Sequence, residues 1–275
     1  MKHIGKNTII HESASIASDH YYIGDNCYIG PNVNVTAHKF VLGDYSKIHN
    51  GTFVCSQPDK FTGGGVFLGH NNWIGQNAVI DGTGGFYAGN NLCVGISSLL
   101  YSHALFGDVL EGCNFCSASP IKIGNDVWFM GFCLVSPIEA KDKSMALLGS
   151  NVTKPMEENR IYAGNPAKDI SDKVGYQFKN ISVDEKHNML HGLLIDFFNS
   201  NKSLDRDKII VVDKESQISN EDEYTYINIA DRKYTKKQSE EEISFLSWAV
   251  KYRAKFTPYS DELRIKSKYI ESVNI

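Results

Sequence analysis

Ile23-Gly24-Asp25-Asn26-Cys27-Tyr28 runs without a break into Ile29-Gly30-Pro31-Asn32-Val33-Asn34, and this pair of six-residue units decides the fold. The same unit returns as Leu42-Gly43-Asp44-Tyr45-Ser46-Lys47 followed by Ile48-His49-Asn50-Gly51-Thr52-Phe53. It returns again as Ile74-Gly75-Gln76-Asn77-Ala78-Val79 and Ile123-Gly124-Asn125-Asp126-Val127-Trp128. Each unit holds an aliphatic residue, usually a glycine, two polar residues, a small or β-branched residue and one free position. A helix cannot use a period of six, and the Gly-Asn and Gly-Asp steps would break one. A coil of short strands and corners can use it. The first and fifth positions point inward, and Gly, Asn and Asp take corner conformations that need a positive φ. Three units make one triangular turn, and turns stack as parallel strands about 4.8 Å apart into a mainly β solenoid. The repeat by itself leaves the handedness open.

Working outward, two stretches interrupt the register. Residues 56–66, with Gln57-Pro58-Asp59 and Gly63-Gly64-Gly65, read as a loop ejected from a coil. Residues 104–120 form a second, which starts immediately after His103. Loops pushed out of a rigid solenoid commonly carry its function. Beyond Gly164-Asn165-Pro166 the repeat stops, so we divide the chain into residues 1–170, the β-helix, and 171–275, a small C-terminal α/β appendage covering the prism end. Within the appendage, Ser182-Val183-Asp184-Glu185 reads as a capping box opening a helix through about Phe198. Residues 208–212 and 224–230 read as strands, and Ser239-Glu240-Glu241-Glu242 opens a second helix containing Ile243, Leu246, Trp248 and Val250.

The totals bound the function. The 275 residues are 42% hydrophobic and 22% charged, which is too apolar for a disordered chain. A net charge of −4 points away from nucleic acid. No signal-like segment and no membrane-length apolar run is present, so membrane insertion is not expected. The six cysteines lie mostly inside apolar pattern rather than at disulfide-scaffold density, which suits a reduced, cytoplasmic protein.

The segment Ile121-Lys122-Ile123-Gly124-Asn125-Asp126-Val127-Trp128 resembles the hexapeptide-repeat acetyltransferases that modify sugars and small amines. The resemblance continues through Leu148-Gly149-Ser150-Asn151-Val152-Thr153-Lys154 and Ile161-Tyr162-Ala163-Gly164-Asn165-Pro166-Ala167-Lys168, and covers roughly the first two-thirds of the chain. It implies a left-handed parallel β-helix, a homotrimer, and acyl-CoA, with acetyl-CoA first, as donor. It also implies a sugar or nucleotide-linked sugar acceptor of the kind used for surface polysaccharides, and direct transfer without an acyl-enzyme. In that family a histidine stands just before the loop, and His103 in Leu99-Leu100-Tyr101-Ser102-His103 occupies this place. An imidazole titrating near neutrality can take a proton from a hydroxyl or ammonium and return it to the departing thiolate. For coenzyme A, the resemblance points to Gly131, Gly149, Ser150, Thr153 and Lys154, with Lys154 or Arg160 near the nucleotide phosphates. The chain departs from the family at Ser136-Pro137-Ile138-Glu139, one residue short, and at Ala146-Leu147-Leu148-Gly149, which lacks the usual Gly-Ala pair.

Other residues compete for roles. His70 is a candidate for the acceptor site, reached across a subunit boundary; Asp108 and Glu111 are candidates to orient the imidazole or bind acceptor. Each also has a plain reading as a stacked or solvated side chain. Four histidines in the repeat (His20, His38, His49 and His70) suit stacking. Asp81-Gly82-Thr83-Gly84-Gly85 resembles a phosphate cradle, but no helix follows it, so we read a glycine corner. The γ-class carbonic anhydrases use the same prism with three zinc-binding histidines, yet their His-x₄-His pair is missing here. Cys113-x-x-Cys116 has zinc spacing without a second pair. No metal is expected. A nucleotide-binding domain like that of the sugar-nucleotide pyrophosphorylases has no counterpart here, and a non-catalytic scaffold is the remaining alternative.

Overall fold

The structure is a computed structural model, and it describes residues 1–57, 64–219, 223–260 and 262–272. Pro58, Asp59 and Gly63 of the first ejected loop therefore lie outside the described residues.

The hexapeptides wind into a three-sided parallel β-helix of the left-handed type. Face A stacks Lys2–Ile4, His20–Ile23, Lys39–Leu42, Val66–Leu68, Phe86–Ala88, Ile121–Ile123 and Glu139–Ala140. Face B stacks the strands from Ile9–Ile10 through Met145–Ala146 to Ile161–Ala163, and face C those from Ser15–Ile16 through Leu99–Leu100 to Asn151–Val152. The register carries the aliphatic position of each coil onto that of the next. On face B, Ile29, Ile48, Ile74, Val94, Phe129 and Ala146 form one continuous column, and all are fully buried. Face C supplies Val35, Val54, Ile80, Leu100 and Val135 in the same way. Each such side chain contributes about 1.5–3 kcal/mol of burial free energy, and the columns are the core.

The glycines differ from the sequence expectation in one respect. The positive φ at the corners falls on Asn26, Asn32, Tyr45, Asn77 and Asp126, rather than on the glycine after the aliphatic residue. That glycine is needed for close stacking instead. A Cβ on Gly24 would stand 2.3 Å from Asp44 Oδ1 and 2.7 Å from the Asp44 backbone nitrogen, because successive coils touch there.

The chain divides into two compact units, residues 1–178 with 263–275, and residues 179–262. This differs from a single appendage over 171–275. The one-turn helix α1 (Ser171–Val174) stays with the prism, as do the last residues of the chain. The second unit holds α2 (Val183–Ser200), opened by the expected Ser182–Glu185 capping box, and α3 (Glu240–Ala249), capped by Ser239. Its four strands run in the order Ile209–Val212, Thr225–Asn228, Lys233–Tyr234 and Thr257–Pro258, around a core that includes Phe197, Phe245 and Leu246. The final helix, α4 (Glu262–Ser272), was not legible in the sequence. It seats Ile270 against Tyr22, Val41 and Phe67, and Lys39 Nζ donates to the Glu271 carbonyl at 2.9 Å. Face A is thus covered outside as well as inside, which explains its unalternated runs Tyr21-Tyr22-Ile23 and Phe40-Val41-Leu42. No described helix is long and apolar enough to cross a membrane.

Candidate active site

Where face C passes into face A, the third coil ends at Ser56 and the fourth begins at Val66, and residues 101–120 leave the same edge after the fifth coil. The fourth coil turns this edge between them through Asp81-Gly82-Thr83-Gly84-Gly85. Glycine is required here by close approach, since a Cβ on Gly84 would stand 2.5 Å from the Ser102 carbonyl and 2.6 Å from the Ser119 backbone.

Asp81 is fully buried at this edge, and its carboxylate is saturated with donors. Oδ2 accepts from Ser102 N (2.9 Å), Ser102 Oγ (2.8 Å) and His103 Nδ1 (2.7 Å). Oδ1 accepts from Thr83 Oγ1 (2.7 Å) and Thr83 N (3.2 Å), with the Cys55 thiol at 3.8 Å. Burial alone would raise the Asp81 carboxyl, but the hydrogen bonds from Thr83, His103 and Ser102 outweigh it and hold the group below its ordinary value. The carboxylate is therefore ionised at neutral pH. Gly84 N donates to Ser102 Oγ at 2.8 Å and Gln57 N to Thr83 Oγ1 at 3.2 Å, so three successive coils are tied together around one acid.

This geometry fixes the imidazole. With Nδ1–H donated to Asp81, the lone pair of His103 resides on Nε2. The His103 side chain is 19% exposed, and the Tyr101 ring stacks on it at 4.7 Å. Residues 103–104 pair with 117–118 in a short antiparallel ladder that closes the base of the second loop. Cys55, the nearest thiol to this acid among the described contacts, is pushed up to about 12 by burial and by Asp81, so it remains a thiol at neutral pH.

The sequence candidates are distributed unevenly. Asp81, read as a glycine corner, is the residue that orients His103; Asp108 and Glu111 do not. Both of the latter stand exposed in the loop, where Asp108 Oδ1 accepts from Leu110 N at 2.8 Å in a local turn. His70 lies on a different edge, between faces A and B, in a ladder otherwise made by Asp25, Asp44, Asn90 and Asn125. Its Nδ1 accepts from Asp44 N at 3.0 Å, so within its own chain it is a corner residue and not a partner of His103. His20 and His38 meet edge to face at 5.9 Å, and His49 packs on Trp73 at 4.7 Å, as stacked side chains.

Thr153 and Lys154 are exposed on the same edge as His103, two coils on and about 10 Å along the axis. Gly131 and Gly149 mark the opposite edge of face C. Ser150 departs from its expected role: it is fully buried and donates to the Leu147 carbonyl at 2.6 Å, because the small fifth position of a unit points inward. Arg160 is already engaged by Asp172 (3.3 Å), Asp169 (3.7 Å) and the Tyr176 ring (5.0 Å).

No protein-family model and no curated protein sequence matches the chain. Among solved structures, hexapeptide-repeat acyltransferases are similar to it. The likeness is one of fold. AntD, an N-acyltransferase from Bacillus cereus in complex with dTDP and 3-hydroxybutyryl-CoA, is 15% identical with a TM-score of 0.42, over 73% of this chain and 91% of that one. A UDP-N-acetylglucosamine acyltransferase from Campylobacter jejuni is 18% identical with a TM-score of 0.46, over 71% of this chain and 73% of that one. A maltose O-acetyltransferase from Clostridium difficile is 19% identical with a TM-score of 0.33, over 52% of this chain and 67% of that one.

Proposed function

We propose that this protein is an acyl-CoA-dependent acyltransferase whose acceptor is a sugar or nucleotide-linked sugar, with His103 as general base. The observation that carries the reading is the His103–Asp81 pair. A buried, ionised carboxylate holds one imidazole nitrogen and leaves the other free at the mouth of the loop that follows His103. His103 Nε2 takes the proton from an acceptor hydroxyl, or from an amino group already in its neutral form, as the oxygen or nitrogen attacks the thioester carbonyl. The tetrahedral intermediate then collapses, the carbon–sulfur bond breaks, and the imidazolium returns the proton to the thiolate. Asp81 stabilises the imidazolium between these steps. The high position of Cys55 favours direct transfer over an acyl-enzyme on that thiol.

Coenzyme A lies in this reading along face C, with Thr153 and Lys154 at one edge and Gly131 and Gly149 at the other. Acetyl-CoA is the first donor to try. The outer surface of face C also supports a homotrimer. Phe53, Leu99 and Leu134 stand in register on it, each more than a third exposed. The loop after His103 carries Phe106, Val109, Leu110 and Phe115, all at least 74% exposed. Apolar surface of this extent marks an interaction site, and a neighbouring prism would close the cleft over His103. A reducing, cytoplasmic setting, expected from six cysteines without disulfide-scaffold density, is part of this reading.

The test is release of free thiol from acetyl-CoA in the presence of amino sugars, neutral sugars and nucleotide-linked sugars. Acceptor-dependent release that is lost in His103→Ala supports the reading. A full panel with no acceptor-dependent release from any acyl-CoA, by protein that binds no coenzyme A, overturns it.

A further inference from the structure

The His103 edge holds one contact that the proton-transfer steps leave unused. Along this stretch Leu100 and Ser102 point inward and are fully buried, so Leu99, Tyr101 and His103 point outward in turn. Tyr101 N donates to the Val135 carbonyl at 2.9 Å, which anchors it to the sixth coil. Ser102 is tied to Asp81 through both its N and its Oγ. The two rings on either side of this locked serine then stack, with centroids 4.7 Å apart and planes inclined by 27°.

The two contacts on His103 are complementary. The hydrogen bond to Asp81 fixes where Nδ1 points, but it leaves the imidazole free to swing about the line from Nδ1 to Oδ2. A ring laid on its face removes that freedom. Tyr101 also acts on charge. A cation within about 6 Å of a tyrosine centroid is attracted by the negative face of the ring. His103 is a cation only after it has taken a proton, so the contact favours the protonated imidazole over the neutral one. Burial, with Asp81 and Cys55, pushes the Tyr101 phenol up, so the ring is a neutral phenol at neutral pH. Among the described residues, Asp81 is the charged group bonded to His103, and Cys55 beside it stays a thiol.

We propose that Tyr101 is a second positioning residue of His103, whose ring fixes the plane of the imidazole and stabilises the imidazolium formed as the acceptor attacks. The role rests on the acyl-transfer reading of the site, but the contact itself can be measured without turnover. Tyr101 is 42% exposed and lies outside the aliphatic columns, so replacing it leaves the coil folded.

The test compares Tyr101→Phe, which keeps the stacked face, with Tyr101→Leu, which is apolar but has none. In an NMR titration of the full chain, Tyr101→Leu should weaken proton binding at His103 by about two- to fivefold, the size of such a contact at a partly exposed site. Tyr101→Phe should match wild type. In acyl transfer, Tyr101→Leu should lower kcat by at least the same factor at unchanged KM for both substrates. The acidic limb of its pH–rate profile should move to lower pH, because the base then loses its proton more readily. A protein that transfers no acyl group to any acceptor would defeat the functional reading, and the titration would still decide the stacking. The proposal is overturned if Tyr101→Leu titrates like wild type, if Tyr101→Phe loses as much as Tyr101→Leu, or if the loss falls on KM alone.

Discussion

Asp81→Asn separates the charge of the orienting acid from its shape. The asparagine oxygen can replace only one carboxylate oxygen. Standing at Oδ2, it keeps the three bonds from Ser102 and His103, and its amide then faces Thr83. There the hydroxyl can turn to accept, while Thr83 N, at 3.2 Å, and the weakly held Cys55 thiol, at 3.8 Å, lose their acceptor. The reverse orientation would orphan Ser102 N at 2.9 Å and force His103 into its other tautomer, so the first arrangement is favoured. One orphaned buried donor costs about 1–3 kcal/mol of stability, which leaves the fold intact.

The catalytic effect comes from the missing charge. A carboxylate and an imidazolium with centres about 4 Å apart attract by about 4 kcal/mol at an effective dielectric of 20. That attraction exists only once His103 has taken a proton, so its loss falls on the transition state, about a thousandfold in rate. Solvent reaching the partly exposed ring reduces this, and a fall of about 10²- to 10³-fold in kcat is expected. KM for both substrates should hold, because Asp81 is fully buried and touches no ligand. Single-turnover transfer reads the rate, and ¹⁵N shifts of His103 should still report the proton on Nδ1. A folded Asp81→Asn enzyme with wild-type kcat, or a loss confined to KM, would refute the assignment.

Three further outcomes follow from the same geometry. His103→Ala should lower turnover by about 10² to 10⁴ and, by removing one donor to the buried Asp81 carboxylate, about 1–3 kcal/mol in urea unfolding; with an amine acceptor the deficit in turnover should shrink as pH rises, and with a hydroxyl acceptor it should persist. Because the folded Asp81 carboxyl lies below its ordinary value, its contribution to stability is complete above that ordinary value and is lost as pH falls through the folded one. The gap in unfolding free energy between wild type and Asp81→Asn should therefore narrow on acidification below about pH 4, and a gap that widened would contradict the sign. Leu134→Asp, placed on the outer surface of face C, should convert the assembly to monomers in sedimentation and remove activity, and a fully active monomeric wild type would sink the shared-cleft account.

The coil was legible because its signal is repeated. Ile23, Ile29, Leu42, Ile48 and Ile74 each announce an inward position, and an error at one would have been corrected by the others. Helices α2 and α3 were legible from local chemistry, since Ser182 and Ser239 cap their own chains. Helix α4 was not, because its seat is made by Tyr22, Val41 and Phe67, residues about two hundred positions away in sequence. Asp81 was missed for a related reason. The sequence places it beside Gly82 and Gly84, whereas stacking places it beside Ser102 and His103, one coil later. A signal was present: an aspartate follows Ile80 where the repeat would put glycine, and a histidine follows one coil on. Asp19 and His38 also pair on this edge, at 2.6 Å, but with the burial reversed, the imidazole buried and the carboxylate exposed.

That edge explains how a solenoid can hold a buried acid beside an accessible imidazole. A closed coil buries only what points inward, and what points outward is left to solvent, so neither position gives a buried acid beside an exposed base. Between faces C and A the wall is interrupted twice, where the third coil ends at Ser56 and the fifth at Leu100. The corner between them is covered from both sides: Gln57 and Gly64 approach Thr83 from one coil, and Ser102 and Ser119 approach Gly84 from the other. Asp81 is sealed by these backbones and receives its donors from them, while His103, at the mouth of the second loop, keeps one nitrogen outside. The glycines that the sequence offered as a phosphate cradle are what let these chains close to contact. A β-branched residue at Gly84 would push the coils apart and free the carboxylate without touching the imidazole. Gly84→Val should therefore cost activity and stability together, through Asp81, even though the residue itself carries no chemistry.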